Sequence, residues 1–396
     1  MPRQGEAAYD ALILEACPSH EPNHRHPDAE LRVLIAGGGV AALEAMLALR
    51  AMAAERVELR LLAASPDFVY RPLQVLEPFE ADAVVRVPWS EIANTLELTH
   101  IADELVGVDP DGHVVRTAGG HLSEYDVLLL AVGARRRSVI TGALTIGEPG
   151  TSSSLRAALS DTDSQRPRRI GFVSPPGVSW TLAIYELALL TARWADAAGV
   201  DAELVVFTAE AQPLEVMGSD ASELARRTLG EHGIRLRTGT LATVLADGRM
   251  WVDGEGSMAV DAVVALPRLE GPRIDGITDE RGGFIRVDEH GRVQGETDVY
   301  AAGDAIDFPV KQGGLATQQA DTVAAHIAAR AGADIEPMPF APVLRATLLT
   351  GDGSRFLRRD LTKRHPLTDI DDRPLWWPPA KIAGQHLAPY LATLTS

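Results

Sequence analysis

Val33–Ala45 reads VLIAGGGVAALEA: an apolar run that suits a buried strand, three glycines, then an alanine- and leucine-rich run that suits a helix. Gly37, Gly39 and Ala42 keep the G-x-G-x-x-G/A spacing in the strand–turn–helix setting that makes this short motif informative. The first glycine allows the tight turn, the second leaves room for a pyrophosphate, and Ala42 still permits close helix packing. Val40 opens the helix, whose free N–H groups and dipole favour an anion there. The next strand, VELRLLAA, leads to Ala63, Ala64 and Ser65, where an acidic ribose anchor is expected; Ser65 offers a weaker contact.

The same alternation returns about 135 residues later, as IGFVS, a turn, WTLAIYELALLTARWADAAG and AELVVFTAE. Two βαβ modules predict two doubly wound α/β domains with parallel sheets and right-handed connections. The second turn, in IGFVSPPGVSWTLA, keeps only Gly177; Pro175 and Pro176 add rings and remove donor N–H groups, which hinders close approach of a pyrophosphate. Glu210, ending the strand after it, is placed to accept a ribose bond, and Glu186 on the helix is either a packing partner or a carboxylate beside the cofactor. Residues 100 to 130 predict a small antiparallel insertion with turns at 108 to 112 and 118 to 120. The last 60 or so residues predict a strand pair and one short amphipathic helix.

Of the 396 residues, 46% are hydrophobic, as in ordinary globular proteins, and the formal charge of -18 argues against a nucleic-acid surface or an anionic membrane face. No run approaches the roughly 18 apolar residues of a membrane span, and the start lacks a basic-then-apolar signal pattern, so the expected location is cytoplasmic. Residues 1 to 30 read as a flexible leader. Within it Cys17, His20, Glu21, His24 and His26 have metal-ligand chemistry, but a solvated tail is the plainer reading and no metal is expected. Cys17 is the one cysteine, so no disulfide forms within these residues.

Three stretches carry a resemblance that spans about residues 31 to 330: AGGGVAALEA, YDVLLLAVGA at 125 to 134, and TDVYAAGDA at 297 to 305. On these the chain resembles the pyridine nucleotide-disulfide oxidoreductase superfamily, in its branch of sulfide:quinone oxidoreductases and type II NADH dehydrogenases. The resemblance implies two Rossmann-like domains, the first holding FAD and the second of NAD(P) type, with Ala131, Gly133, Gly303 and Asp304 at the flavin cofactor and Asp304 on its ribitol. It implies that VKQGGLATQQA, 310 to 320, sets a helix N-terminus and Gly313, Gly314 and Leu315 against the flavin. Lys311 there would stabilise charge on the reduced ring; of the adjacent Gln318 and Gln319 at most one can face a site. Arg71 and Pro72 fall where the family's chain passes the flavin. The domains implied are FAD-binding over 31–150 with a return over 269–332, a second Rossmann-like domain over 151–268, and a C-terminal interface region over 333–396 that contains Trp376 and Trp377.

The departures narrow the chemistry. Family members that work through paired cysteines need two thiols, and here there is one, outside the matched region. Gly313 and Gly314 replace the Ala-Gln that precedes Gln-Gln in type II NADH dehydrogenases. The expectation is an FAD-dependent oxidoreductase without a redox disulfide, acting on a small-molecule substrate or electron acceptor. An NAD(P)H:acceptor reductase and a flavoprotein scaffold of reduced activity stay open, as does homo- or hetero-oligomerisation.

Overall fold

The computed structural model describes residues 30–80, 82–160, 167–278 and 283–394. The stretch around Cys17, with the leader's histidines, lies outside them.

Strand β1 (Leu31–Ala36) runs into helix α1 (Val40–Ala53) and returns as β2 (Val57–Leu62). With β3 (Thr99–Ile101), β4 (Val127–Leu130) and the late strand Val299–Ala301 they make one five-stranded sheet, in which β1 lies between β2 and β4 and every pairing is parallel. A parallel sheet is covered on both faces, so β1 and β4 are apolar nearly throughout instead of alternating.

A second five-stranded parallel sheet follows, from β5 (Leu144–Thr145), β6 (Arg168–Ser174), β7 (Ala202–Thr208), β8 (Arg235–Arg237) and β9 (Ala262–Ala265), in the order β5-β9-β6-β7-β8. Helix α2 (Thr151–Ser160) packs near β5, α3 (Leu182–Ala198) crosses from β6 to β7, and α4 (Ser219–Glu231) leads to β8. The chain then rejoins the first sheet through β10 (Val299–Ala301), beside β4, and enters α5 (Gly313–Arg330). Short antiparallel strands at Leu105–Asp109, Val114–Thr117 and Leu122–Glu124 form the insertion expected over 100 to 130.

The C-terminal part differs from the expected strand pair. It has three antiparallel strands, β11 (Val343–Leu349), β12 (Ser354–Asp360) and β13 (Thr368–Asp371), because TDID pairs with β12 despite its low apolar content. The terminal helix α6 is confined to Leu387–Leu394; WWPPAKIAG before it is a run of bends, with the Trp376 indole donating to the Ala380 carbonyl (2.9 Å) and Ile382 buried. Trp377 is exposed.

Helices α1 and α5 pack closely, and α1 is buried nearly all round by alanine, leucine and methionine side chains. Glu44, fully buried on α1, accepts from the N–H groups of His386 (2.8 Å) and Leu387 (2.7 Å) and so holds the start of α6. Asp321 on α5 is its neighbour. Burial, then the Glu44 charge, hold the Asp321 carboxyl well above the usual carboxylate range. A raised carboxyl stabilises the fold below its unfolded value, and that stability is lost as pH rises towards the folded value, about 1.4 kcal/mol per pH unit. Asp321→Asn keeps the neutral form at every pH. Denaturant melts are expected to show the variant matching the native protein near pH 4 and exceeding it by a margin that grows by about 1.4 kcal/mol per pH unit above that; equal stability at pH 4 and pH 9 would mean Asp321 ionises normally.

Candidate functional site

Residues of both sheet domains line a cavity of about 1160 Å³. Its first wall is the turn after β1. Gly37 adopts φ +120°, where side chains are strained, and a Cβ there would stand 2.2 Å from the Ala131 carbonyl oxygen. Gly37 N–H bonds the Leu62 carbonyl (2.8 Å), and Ala131 N–H the Ala36 carbonyl (2.8 Å), so the turn is locked to its neighbours on both sides. Gly39 is different: a Cβ there would meet nothing within 4 Å. It caps α1 with no side-chain bond, so the first amides of the helix face open space. Gly133 (φ +71°) has the same free surroundings. These positions fit a dinucleotide pyrophosphate: one glycine compelled by the backbone, two that keep space clear, and unsatisfied donors pointing into it.

The sequence-expected residues divide around this cavity. Gly37, Gly39, Val40, Ser65, Arg71 and Pro72 line it on the first-domain side, Ala131 and Gly133 at the end of β4. Gly303, Asp304, Lys311 and Gly313 line it from the segment between β10 and α5. Ala42, Gly314 and Leu315 do not: Ala42 and Leu315 are buried in the packing cores, and Gly314 lies within α5 behind Gln312. Ser65 closes a local turn, accepting from Asp67 N–H (3.3 Å) while donating to its carbonyl (2.9 Å). Asp103 and Glu104, which the sequence did not single out, are the acidic groups lining the cavity near that end.

Asp304 sits in a short helical turn, Gly303–Ala305. Burial raises its pKa, while the Lys311 and Arg136 charges pull it back. Lys311 is the converse case: burial lowers its pKa to about 8, against the pull of Asp304 and Asp307. Its ammonium lies 3.6 Å from the centre of the Phe284 ring and donates to the Ile306 carbonyl. Gln312 caps α5, accepting from Leu315 N–H (2.9 Å) and donating to the Arg345 carbonyl (2.8 Å), which ties β11 to the cavity rim. Both following glutamines are braces: Gln319 accepts from Gly303 N–H (2.9 Å), and Gln318 bridges α5 to Val343 through two bonds.

The opposite wall comes from α3 and the C-terminal segment. Glu186, 1% exposed, meets Lys381 Nζ at 2.5 Å and accepts from Leu349 N–H (2.9 Å). Burial raises Glu186, and Lys381 opposes that rise. Glu186 thus acts as the packing partner, holding β11 and Lys381, and it also lines the cavity. Ile382 N–H donates to the Tyr70 hydroxyl (2.7 Å), and a Cβ on Gly313 would meet Ile382 at 2.4 Å, so the C-terminal segment seals the start of α5.

The second turn is built differently from the first. Three residues separate β1 from α1, but seven, 175–181, separate β6 from α3. The added residues and the two prolines leave this turn without the close-set glycines of the first. The turn is instead spent on protein contacts: Arg268 donates to the Pro176 carbonyl (3.1 Å), and Ser179 Oγ accepts from Lys311 N–H (3.2 Å). Glu210 is occupied as well, accepting from Tyr185 Oη (2.6 Å), Thr208 Oγ1 (3.1 Å) and Glu215 N–H (3.1 Å).

Among the described residues no group of three or more His, Cys, Asp or Glu is placed to hold a metal ion, and no helix is long and apolar enough to cross a membrane.

Comparison with known proteins agrees with this architecture. The family model of pyridine nucleotide-disulphide oxidoreductases matches residues 31–326. The ferredoxin reductase component of chlorobenzene dioxygenase from Cupriavidus sp. (strain PS12) is 27% identical over 292 residues, which are 64% of this chain and 67% of that protein. In structure the chain is similar to the sulfide:quinone oxidoreductase of Aquifex aeolicus, with a TM-score of 0.76 at 18% identity over 93% of this chain and 90% of the other. It is also similar to a ferredoxin reductase from Rhodopseudomonas palustris, with a TM-score of 0.64 at 21% identity over 83% and 82%. The chain belongs to the pyridine nucleotide-disulphide oxidoreductase family and is an FAD-dependent oxidoreductase.

Proposed function

We propose that this chain takes electrons from a small organic donor other than a nicotinamide dinucleotide, onto FAD held between the Gly37–Gly39 turn and the start of α5. The observation that carries this is the contrast between the two turns: one open and lined with free donors, the other lengthened, proline-bearing and bonded to Lys311. The bound FAD supplies the redox chemistry. In this reading Gly39, Val40 and Gly133 leave room for its phosphates and Asp304 holds its ribitol, while Lys311 and the Gln312-capped helix start set a positive end against the ring. Cys17 is the one thiol, so electrons pass on to an acceptor without a protein disulfide. We propose further that the chain works outside any membrane span, and that its acceptor is a small molecule or a partner protein.

Anaerobic addition of NADH and of NADPH to the purified flavoprotein tests the reading. The visible flavin bands are expected to persist with both and to disappear with dithionite; prompt bleaching by either nucleotide overturns it. A second outcome follows from Lys311, which loses its proton as pH rises through about 8. The charge it removes is one that favours reduction. Lys311→Met is expected to lower the flavin midpoint potential by about 30 mV at pH 7, or about 1.4 kcal/mol for two electrons, and to match the native value above pH 9. A pH-independent difference, or none, would detach Lys311 from the flavin.

A further inference from the structure

The wall contributed by β11 carries a charge that no group among the described residues neutralises. Along this strand Leu344, Ala346 and Leu348 enter the second core, so the alternation turns Arg345 and Thr347 to the other face, and both line the cavity. The Arg345 guanidinium makes no hydrogen bond or ion pair among the described residues. Its cross-strand partner is another cation, Arg358; like charges directly opposite are unfavourable. Arg358 is compensated by Asp369 at 3.3 Å on the next strand, whereas Arg345 is not, and burial together with Arg358 lowers its pKa. Thr347 is 6% exposed, and its Oγ1 is buried without a partner. A buried hydroxyl without a partner is costly and rare in native proteins. Lys381 on the same cavity is already neutralised by Glu186. The uncompensated charge on this wall is therefore a single positive one, beside an idle hydroxyl.

We propose that Arg345 and Thr347 bind the carboxylate of a monoanionic substrate in the flavin cavity, the guanidinium pairing with its oxygens and the hydroxyl donating to one of them. A monoanion leaves the wall neutral; a phosphate monoester would add a second negative charge near Glu186. The inference rests on the reading that the donor is a small molecule bound in this cavity, and it names that donor's class.

The test uses the FAD-loaded protein at fixed ionic strength, titrated with acetate, benzoate and inorganic phosphate while the flavin difference spectrum is followed. A saturable shift with a carboxylate is expected, weakened roughly tenfold or more by Arg345→Gln and about fivefold by Thr347→Val, and partly kept by Arg345→Lys. FAD content and melting temperature should be unchanged in Thr347→Val, which keeps the test decisive if Arg345→Gln folds poorly. No saturable shift with any carboxylate overturns the proposal, as does equal affinity in the native protein and the variants. Phosphate binding more tightly than carboxylates with the same dependence on Arg345 overturns the carboxylate assignment. Loss of FAD from Arg345→Gln and Thr347→Val assigns the pair to the cofactor instead, and also overturns it. Bleaching by NADH is read separately: it removes the donor reading above, while the titration alone decides the anion site.

Discussion

Gly37→Ala is expected to cost the folded protein about 3 kcal/mol or more and to leave almost no flavin-bound fraction. Two penalties coincide there. The backbone is at φ +120°, and the new methyl would lie 2.2 Å from the Ala131 carbonyl oxygen and 2.4 Å from its carbon. Those neighbours are backbone of a buried strand end, itself bonded to Ala36, so they cannot give way as a flexible side chain could. Gly39→Val separates folding from binding. Gly39 has an extended backbone (φ -103°, ψ -171°) and open space around it, so valine is tolerated by the fold but fills the volume before the helix N-terminus. The expected result is a melting temperature of the flavin-free protein close to native, with FAD affinity down by roughly a hundredfold, about 2.7 kcal/mol. Thermal melts and flavin retention after gel filtration give both numbers. A Gly39→Val protein that retains flavin would move the pyrophosphate elsewhere.

Lys381→Met is expected to destabilise by about 3 to 5 kcal/mol at neutral pH, because it leaves Glu186 buried with no cation. The pH dependence has a definite sign. Burial already raises the Glu186 carboxyl, and removing Lys381 removes what opposes that rise. A group raised in the folded state gives its full stability below its unfolded value, about 4.3 for glutamate, and loses it as pH climbs through the folded value. The deficit of Lys381→Met should therefore be greatest at neutral and alkaline pH and shrink as pH falls towards about 4. The double variant with Glu186→Gln should recover all but about 1 to 2 kcal/mol, since the amide can still accept from Leu349 N–H. Urea melts at pH 4 and 7.5 measure this. A deficit that is constant with pH, or a double variant no better than the single, would show that the lysine acts through packing alone.

How much of this was legible in the sequence depended on distance along the chain. The β1–α1 turn was readable because its geometry is local: a glycine compelled at 37, a free position at 39 and a packed alanine at 42 all follow from a few consecutive residues. The three-stranded C-terminal sheet was not, since TDID pairs by register with β12 and has no apolar pattern of its own. Helix spacing lets at most one of Gln318 and Gln319 face the site, whereas both brace the backbone around it, which depends on where Gly303 and Val343 lie.

The sequence by itself determined two parallel α/β modules, a glycine-rich turn in the first, a proline-bearing turn in the second, and a single cysteine. Each follows from short-range stereochemistry or from composition. Only the tertiary structure decided what the second turn does instead, by bonding Ser179 to Lys311, and which charges meet around the cavity. Glu186 and Lys381 are 195 positions apart, and Arg345 reaches the rim through Gln312. Burial and pairing of such groups depend on which surfaces close against each other, and no local pattern encodes that.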